Sequence, residues 1–443
     1  MGMKECRIGM VSLGCSKNQV DAEIMLGEIS AAGYKVVNDP EEADIIIVNT
    51  CGFIESAQQE SVDTILEMAQ YKESGRCRGL IVTGCMAQVF QQQLRQELPE
   101  VDAVLGTGSY EKILEAIGQV EQEHSYESFE NIHCGVLHGT HRMLTTPPYT
   151  AYLKIAEGCD NRCAYCAIPS IRGDFRSRPM EDIVEEAKEL AASGVKECIV
   201  IAQDITRYGQ DLYGEYRLDE LLTRLCQLDF TWIRLHYCYP DKMTDKLIEV
   251  IAREDKIVKY LDLPVQHSSS AILSAMNRRG DGPYLRKLFA RLRKQIPGVA
   301  IRTSLIVGFP GETEEDFEDL CRFVQEVRFE RLGVFPYSRM EGTPAYDMPG
   351  QIEEEVKLQR QEIIMDLQEG ISQQDNQQMV GKILTVLVEY EEDGWLVGRS
   401  YRDSVEIDPK VRFRGGAHVP GDFVPVQITD CDAYDLLGEE VVK

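Results

Sequence analysis

The stretch Glu157-Gly-Cys-Asp-Asn-Arg-Cys-Ala-Tyr-Cys-Ala-Ile-Pro169 carries three cysteines in a C-x3-C-x2-C pattern, directly after a strand-like segment at residues 152–156. Three thiolates on one short loop can hold three irons of a [4Fe-4S] cluster, which leaves the fourth iron free to bind another molecule. Cys159, Cys163 and Cys166 are therefore predicted iron ligands. The alternative is a structural zinc loop, but such sites take four protein ligands, and no further Cys or His follows within twenty residues.

The composition indicates a large, acidic, globular protein. With 443 residues the chain is long enough for about three domains. Its 47 Lys and Arg against 74 Asp and Glu give a net charge of −27, which disfavours nucleic acid and anionic membranes as partners. No signal-peptide pattern and no stretch of membrane-spanning length is found, so we predict a cytoplasmic protein. Fourteen cysteines then favour metal binding over a disulfide framework.

Residues 1–145 are predicted to form a parallel α/β domain. Apolar runs at 8–13, 44–48, 80–82 and 101–105 alternate with helical patterns, one of them at 110–120. Cys15, Cys51 and Cys85 each follow one of the first three runs. Because the carboxyl ends of parallel strands share one edge, we expect these thiols to converge as a second three-cysteine cluster site. The alternative is that they are ordinary small buried residues.

A looser segment, residues 121–148, is predicted to be a linker. It contains several potential metal ligands whose spacing matches no common metal site, so we interpret them as solvated loop residues: His124, His133, Cys134, His138 and His141.

Residues 146–376 are predicted to form a partial (β/α)6 barrel. Six candidate strands alternate with helices, the first of which is expected between Pro179 and Gly194; the strands are 152–156, 197–202, 232–236, 260–264, 301–307 and 331–336. Eight such units would close a full barrel, so this one lacks two. Its functional edge should be the carboxyl ends of the strands.

Residues 377–443 are predicted to form a small antiparallel β-barrel. They follow a charged helical stretch at 353–374. Two strand patterns at 383–390 and 395–401 flank a turn that contains Asp393-Gly394, which is typical of a hairpin.

The cysteine loop, with Tyr165 before its last cysteine, resembles the signature of the radical S-adenosylmethionine (SAM) enzymes. That resemblance implies a partial barrel and a SAM molecule that chelates the open iron and is cleaved to a deoxyadenosyl radical. The resemblance also implies that Tyr165 contacts the cofactor. The same is implied for polar or loop residues on the barrel strands and at their ends: Gln203, Asp204, Gln266, Arg302, Ser304, Gly308, Phe309 and Glu312.

Several of these residues have a structural alternative. Thr313 with Asp316 suggests a helix capping box, in which case Glu312 only shapes a turn. Arg302 and Ser304 are alternatively polar groups satisfied inside the barrel. The basic loop at residues 172–178 is a candidate for cofactor or substrate binding, or is simply solvated.

The order of the three domains resembles that of the methylthiotransferases, and the resemblance covers essentially the whole chain. It implies two [4Fe-4S] clusters, one SAM as radical source and a second as methyl donor, with an external electron donor and sulfur source. One branch of that family modifies a transfer RNA adenosine, and the other an aspartate of the twelfth protein of the small ribosomal subunit. Three phrases resemble the second branch: Val11-Ser-Leu-Gly-Cys-Ser-Lys-Asn18, Asn49-Thr-Cys-Gly-Phe-Ile54, and Gly398-Arg-Ser-Tyr-Arg-Asp403 continuing to Glu406-Ile-Asp408.

The charge of the C-terminal domain favours the same branch. Residues 379–443 contain seven Lys or Arg against thirteen Asp or Glu, which is unfavourable for phosphate contacts and suits a basic ribosomal protein. Arg412 and Arg414 leave open a local basic patch. The alternatives are therefore the transfer RNA branch, with the same chemistry, and a non-enzymatic iron–sulfur carrier of electrons or clusters.

Overall fold

The structure, a computed structural model, describes residues 5–133, 135, 142–405 and 407–442. Within these ranges the chain forms a parallel α/β domain, an open (β/α)6 barrel and a small closed β-barrel. Four residues singled out from the sequence, namely Cys134, His138, His141 and Glu406, lie outside the described ranges. No helix in the described ranges is long and apolar enough to cross a membrane.

The N-terminal domain is a six-stranded parallel sheet in the order β2-β1-β3-β4-β5-β6. Its strands are β1 (Arg7–Ser12), β2 (Lys35–Val37), β3 (Ile45–Thr50), β4 (Gly79–Gly84), β5 (Ala103–Leu105) and β6 (Tyr126–Ser128). Its helices are α1 (Ser16–Ala31), α2 (Glu55–Ser74), α3 (Cys85–Phe90), α4 (Gln92–Glu97) and α5 (Ile113–Glu121). Strands β3 and β4 are buried along their whole length, because helices cover both faces of the sheet.

The central domain is a second six-stranded parallel sheet, in the order β7-β10-β11-β12-β13-β14, curved into a barrel whose end strands do not pair. These strands are β7 (Thr150–Lys154), β10 (Glu197–Ile201), β11 (Trp232–Leu235), β12 (Ile257–Asp262), β13 (Ala300–Val307) and β14 (Arg331–Pro336), and a small antiparallel pair is formed by β8 (Ala156–Glu157) and β9 (Arg176–Ser177). The predicted six-unit barrel is confirmed.

The helices of the central domain cover the outside of this sheet. They are α6 (Ile168–Arg172), α7 (Met180–Ala192), α8 (Gln210–Tyr213), α9 (Leu218–Leu225), α10 (Asp245–Arg253), α11 (Ser270–Ala275), α12 (Gly282–Gln295), α13 (Glu314–Val327) and α14 (Glu354–Gln377). The side chains of β13 alternate between buried and half-buried. Because alternate residues of a strand point to opposite faces, one face of β13 borders an accessible space.

The C-terminal domain is a closed five-stranded barrel in the order β15-β16-β17-β19-β18. Its strands are β15 (Ile383–Glu392), β16 (Trp395–Arg399), β17 (Val411–Arg414), β18 (Phe423–Cys431) and β19 (Leu436–Glu440). Four of its pairings are antiparallel, but β17 and β19 pair in parallel. The barrel is therefore not purely antiparallel. In the sequence β18 lies between β17 and β19, and it runs antiparallel to β19.

The C-terminal barrel packs against the amino-terminal end of the central barrel. Leu387 lies in one apolar cluster with Trp232 and Ala300, the first residues of β11 and β13. A polar loop of residues 400–405 and 407–408 makes buried contacts with central strands: Arg331 Nη2 lies 2.6 Å from Asp403 Oδ1, and the Tyr260 hydroxyl lies 2.6 Å from Asp408 Oδ2. The loop therefore lies against β12 and β14 of the central barrel.

Glu197, at the start of β10, anchors this junction. Its fully buried carboxylate pairs with Arg234 of the same domain at 2.9 Å and with Arg399 of the C-terminal barrel at 2.6 Å. Burial by itself opposes ionisation, but Arg399 and Arg234 outweigh it and lower the pKa of Glu197 to about 2. Glu197 is thus the ion-pair partner of Arg234 and shares Arg399 with Glu389, which lies 2.7 Å from the Arg399 Nε.

We expect Glu197→Gln to destabilise the protein by about 3–5 kcal/mol, because it leaves the buried Arg234 without a counter-ion and removes one of the two carboxylates of the buried Arg399. Trp232 and Trp395, the two tryptophans of the chain, allow unfolding in urea to be followed by intrinsic fluorescence. The matched control is Glu220→Gln, which removes an exposed ion pair with Arg224 and should cost about 0.5 kcal/mol or less. Equal midpoint shifts for the two variants would contradict the anchoring role of Glu197.

Candidate functional site

The structure brings Cys15, Cys51 and Cys85 to one edge of the N-terminal sheet. Cys15 and Cys51 follow β1 and β3, and Cys85 follows β4 and begins α3; these three strands are direct neighbours and parallel. Gly14 allows the loops that carry Cys15 and Cys51 to approach each other closely. A Cβ atom added at position 14 would lie only 3.0 Å from the Cys51 sulfur, which is too close. Gly52 does the same for the third loop, since its Cβ would lie 2.8 Å from the backbone of Met86. We call these cysteines the N-terminal triad.

Cationic side chains surround the N-terminal triad. Arg172, from the central domain, donates to the sulfur of Cys85 at 3.3 Å. Burial raises the pKa of Cys85 to about 11, and the guanidinium of Arg172 opposes this rise. At Cys15 the surrounding protein also opposes ionisation, but the charges of Lys17 and Arg172 outweigh it and lower the pKa of the thiol. Because metals bind thiolates rather than thiols, positive charge here favours the ligating form.

Cys159, Cys163 and Cys166 lie on the loop between β8 and α6, at the carboxyl end of the central barrel; we call them the barrel triad. The loop is fixed by backbone hydrogen bonds, among them one of 2.9 Å from the Ala164 amide to the Met276 carbonyl. The Ile168 amide points at the Cys166 sulfur at 3.4 Å. Burial raises the pKa of Cys159 to about 12, which opposes ionisation of the free thiol, whereas a thiol that coordinates a metal is deprotonated on binding.

Arg278 and two tyrosines border the barrel triad. The Arg278 guanidinium lies 3.8 Å from the Cys163 sulfur and donates to the Tyr165 hydroxyl at 3.1 Å. It also stacks over the ring of Tyr239, whose hydroxyl is 3.8 Å from the same sulfur. Tyr165, a predicted cofactor contact, is therefore held by Arg278.

A buried cluster of four charges joins the N-terminal domain to the barrel. Asp21, from α1, pairs with Lys154 and with Arg172, and Glu157 lies 2.9 Å from Lys154 and 3.4 Å from Arg172. All four side chains are buried. In the basic loop at residues 172–178, Arg178 is also buried and pairs with Glu186. The interpretation of this loop as solvated is therefore wrong for Arg172 and Arg178.

The segment after β11 contacts one cysteine of the barrel triad and the residues that follow Cys15. Tyr239 approaches Cys163, as described above, and Tyr237, two residues earlier, contacts the α1 start next to Cys15. Its hydroxyl lies 3.5 Å from Ser16 Oγ, and its ring lies 3.1 Å below the ammonium of Lys17. Tyr237 has a positive φ of 63°, a strained conformation that the Asp262 carboxylate supports by accepting from its amide at 3.0 Å. The two triads thus face the same mouth of the barrel.

Four of the predicted cofactor contacts have polar groups available at this mouth. Gln203 donates to Glu157 at 2.6 Å, but its buried Oε1 accepts no hydrogen bond from the described residues. Gln266, Arg302 and Ser304 are half-buried. Arg302 is partly engaged, since its Nη1 lies 2.9 Å from Asp262 Oδ1. An unsatisfied buried acceptor next to a cysteine loop fits a site that is completed by a ligand.

The other predicted contacts are engaged within the protein. Asp204 accepts from Asn161 of the cysteine loop at 2.9 Å. Glu312 accepts from the Gly308 amide at 2.7 Å and pairs with Arg360 at 2.8 Å, and Phe309 is fully buried. A Cβ on Gly308 would lie 2.2 Å from Lys357, so close packing requires a glycine there. The capping box of α13 is present, and the geometry of Glu312 favours the alternative that it shapes the loop.

Sequence reasoning missed several residues of this mouth, namely Lys17, Asp21, Lys154, Tyr237, Tyr239 and Arg278. Their contacts join distant parts of the chain: 151 residues separate Asp21 from Arg172, and 115 separate Cys163 from Arg278. One signal was available in the sequence. Lys154 stands in an otherwise apolar strand, and a charge in a buried strand requires a partner.

The thiols of each triad are spaced apart. Among the described residues, no three His, Cys, Asp or Glu side chains are grouped so that they could hold one metal ion. Ligands of a four-iron cluster bind separate irons and need not meet at one point. All thirteen cysteines in the described ranges are free of disulfides, so both triads retain their thiols.

Three family profiles match successive parts of the chain. The profile described as uncharacterized protein family UPF0004 matches residues 7–106, that of the Radical SAM superfamily matches residues 153–324, and that of the TRAM domain matches residues 380–441. Among solved structures, the radical S-adenosylmethionine methyltransferase TsrM from Kitasatospora setae has a TM-score of 0.59 at 13% identity, covering 77% of this chain and 75% of that chain. At this identity the likeness shows a shared fold alone.

Relatives of the same length are far more similar. Ribosomal protein uS12 methylthiotransferase RimO of Anaeromyxobacter sp. (strain Fw109-5) is 51% identical over 446 residues, covering 100% of this chain and 94% of that protein. The proteins of the same name from Clostridioides difficile (strain 630) and Pelotomaculum thermopropionicum are 50% and 51% identical, and cover 98% and 100% of this chain and the same shares of their own lengths. As a radical SAM protein, the chain uses an iron–sulfur cluster and SAM. With this identity over its whole length, it belongs to the family of ribosomal protein uS12 methylthiotransferases.

Proposed function

We propose that this chain methylthiolates the β-carbon of an aspartate in ribosomal protein uS12, with two [4Fe-4S] clusters and SAM. The observation that carries the proposal is the placement of two cysteine triads at one mouth of the barrel. Arg172 reaches Cys85 and Glu157 from one side, and the segment after β11 touches Ser16 and Cys163 from the other. The family of the relatives supports the same chemistry and the same substrate.

The barrel triad would hold the first cluster and the N-terminal triad the second. When bound, the first cluster with SAM supplies the radical that removes a hydrogen, the second cluster presents the sulfur, and another SAM supplies the methyl group. The protein orients these groups through hydrogen bonds to the ligating sulfurs, from Arg172 to Cys85 and from the Ile168 amide to Cys166. Such outer contacts tune the thiolates and fix their direction.

The predicted cofactor contacts divide into two groups. Gln203, Gln266, Arg302 and Ser304 would touch SAM directly, because they have polar groups available at the barrel mouth. The others would act by shaping the loops around it, since their polar groups or rings are already engaged: Tyr165, Asp204, Gly308, Phe309 and Glu312.

A basic protein is a better substrate than RNA for the C-terminal barrel. Of its cations, Arg399 and Arg402 are buried in ion pairs, Lys410 pairs with Glu389, and Arg412 lies 3.4 Å from Glu392. Few of its charges are left for phosphates, which supply most of the affinity of RNA-binding surfaces. The net charge of −27 attracts a basic ribosomal protein. The enzyme would work in the cytoplasm, with an external electron donor and sulfur source.

The substrate can be tested directly. We expect the reconstituted protein, with reductant and SAM under anaerobic conditions, to add one methylthio group to uS12 and to produce deoxyadenosine. Transfer RNA in a parallel reaction should gain no such mass. Mass spectrometry of both substrates checks the outcome, and a gain confined to the RNA would move the enzyme to the other branch of the family.

The two triads can be separated by single substitutions. We expect Cys51→Ala to abolish methylthiolation but to leave deoxyadenosine formation, because it removes a ligand of the sulfur-presenting cluster only. Cys163→Ala should abolish both, because it removes a ligand of the radical-generating cluster. Each variant should lose about four of the roughly eight irons per chain, measured by iron analysis after reconstitution.

Cys321→Ala is the matched control for both variants. This thiol lies half-buried on α13, outside either triad, and its removal should change neither iron content nor product. Full methylthiolation by Cys51→Ala would mean that the N-terminal triad holds no required cluster.

A further inference from the structure

Lys17 is a buried cation without a carboxylate partner. Its side chain belongs to the second residue of α1, two positions after Cys15, and only 8% of the residue is exposed. The ammonium lies 3.1 Å from the centre of the Tyr237 ring. Throughout ranges 5–133, 142–405 and 407–442, no Asp or Glu forms an ion pair with it within 4.0 Å.

Several other buried cations of the protein have carboxylate partners, although Arg278, beside the barrel triad, has none among the described residues. Lys154 has Asp21 and Glu157, and Arg234 has Glu197. A buried ammonium costs several kcal/mol unless an anion compensates it, and an aromatic ring supplies only part of that compensation. Lys17 therefore has the charge, the burial and the lack of a carboxylate partner that are expected of a group that binds an anionic ligand.

The Asp262 carboxylate, whose charge acts on Lys17, is already committed. Asp262, at the end of β12, accepts from the Tyr237 amide at 3.0 Å and pairs with Arg302 at 2.9 Å. It therefore holds the segment under Lys17 in place and is not an ion-pair partner of the ammonium. Apart from the Cys15 thiolate, the anion that would complete the site comes from outside the described chain.

The position of Lys17 indicates which anion that is. Lys17 extends from the cysteine loop of one triad onto Tyr237, and Tyr239, two residues further, lies against Cys163 of the other triad. A group held by Lys17 therefore lies beside the N-terminal triad, against the segment that also contacts the barrel triad. In an aspartate side chain, the β-carbon that reacts is bonded directly to the carboxyl carbon, so a cation that holds the carboxylate also positions the reacting carbon.

We propose that Lys17 binds the carboxylate of the target aspartate and so selects the residue that is modified. The inference rests on the proposed function and deepens it by naming a specificity residue. A neutral asparagine in the same place would leave the ammonium unpaired, and a site with a buried unpaired group rejects such an analogue strongly. The competing role for Lys17 is to balance the negative charge of the thiolates at Cys15.

The test uses reconstituted full-length enzyme and uS12 peptides with Asp or Asn at the target position. For the native enzyme we expect the Asn peptide to inhibit at a concentration about 10- to 100-fold above the KM of the Asp peptide, as for the loss of a charged hydrogen bond. Lys17→Met, which keeps the length of the side chain, should raise the KM for the Asp peptide by about the same factor and bring the two peptides to similar affinity. Lys17→Arg should restore part of the preference.

Three controls make the outcomes distinct. Lys188→Met removes an exposed lysine that pairs with Glu185 on α7, and should leave KM and preference unchanged. Iron content and the electron paramagnetic resonance signals of Lys17→Met should match those of the native enzyme. Altered signals with an unchanged KM would overturn the inference and assign Lys17 to the cluster. Equal affinity of the native enzyme for both peptides would also overturn it, whereas a native enzyme that modifies no uS12 would refute the proposed function itself.

Discussion

The buried four-charge cluster of Asp21, Lys154, Glu157 and Arg172 is the constraint on which the two-triad arrangement depends. The N-terminal domain supplies Asp21 and the central domain supplies the other three residues, and the two cations and two anions balance. Removing one member of such a cluster costs about 3–5 kcal/mol, because the others are left buried and unpaired. Apolar contacts between Val20, Ile24 and Tyr152 surround it but set no unique register. Directional ion pairs therefore define how the two cysteine loops face each other.

The far end of the central barrel is built on the same principle. There the polar loop of residues 400–405 and 407–408 enters from the C-terminal barrel, with Asp403 on Arg331 and Ser404 within 2.9 Å of His236. Burial lowers the pKa of His236 to about 3, so the ring is neutral at physiological pH and adds no unpaired charge beside this loop. The opposite, carboxyl end of the barrel carries both triads and is the face that we propose to be functional.

Local sequence patterns predicted most of the strands and helices of the fold. They could not predict features that depend on contacts between residues far apart in the sequence. Strands such as β3 and β4 are long apolar runs whose burial follows from composition. The sequence patterns did not predict strands β2 and β6, because each has only three residues and lies at an edge of the sheet. The two cysteine triads could be predicted, one from the spacing of its cysteines along the chain and the other from the position of its cysteines at strand ends. Lys17 and Arg172 could not, because their roles depend on which charges the fold places beside them.

The electrostatics of the protein have opposite signs at long and at short range. The molecule carries a net charge of −27, which attracts a basic partner but is screened beyond about 8 Å at physiological ionic strength. The barrel mouth is bordered instead by buried cations, among them Lys17, Arg172 and Arg278, which lie close to sulfur and to the ligand space. Buried charges are screened much less by salt. Under the proposed binding of the target carboxylate by Lys17, the approach of the substrate and its final positioning would be governed by different charges, which would let an acidic protein hold an acidic side chain at its centre.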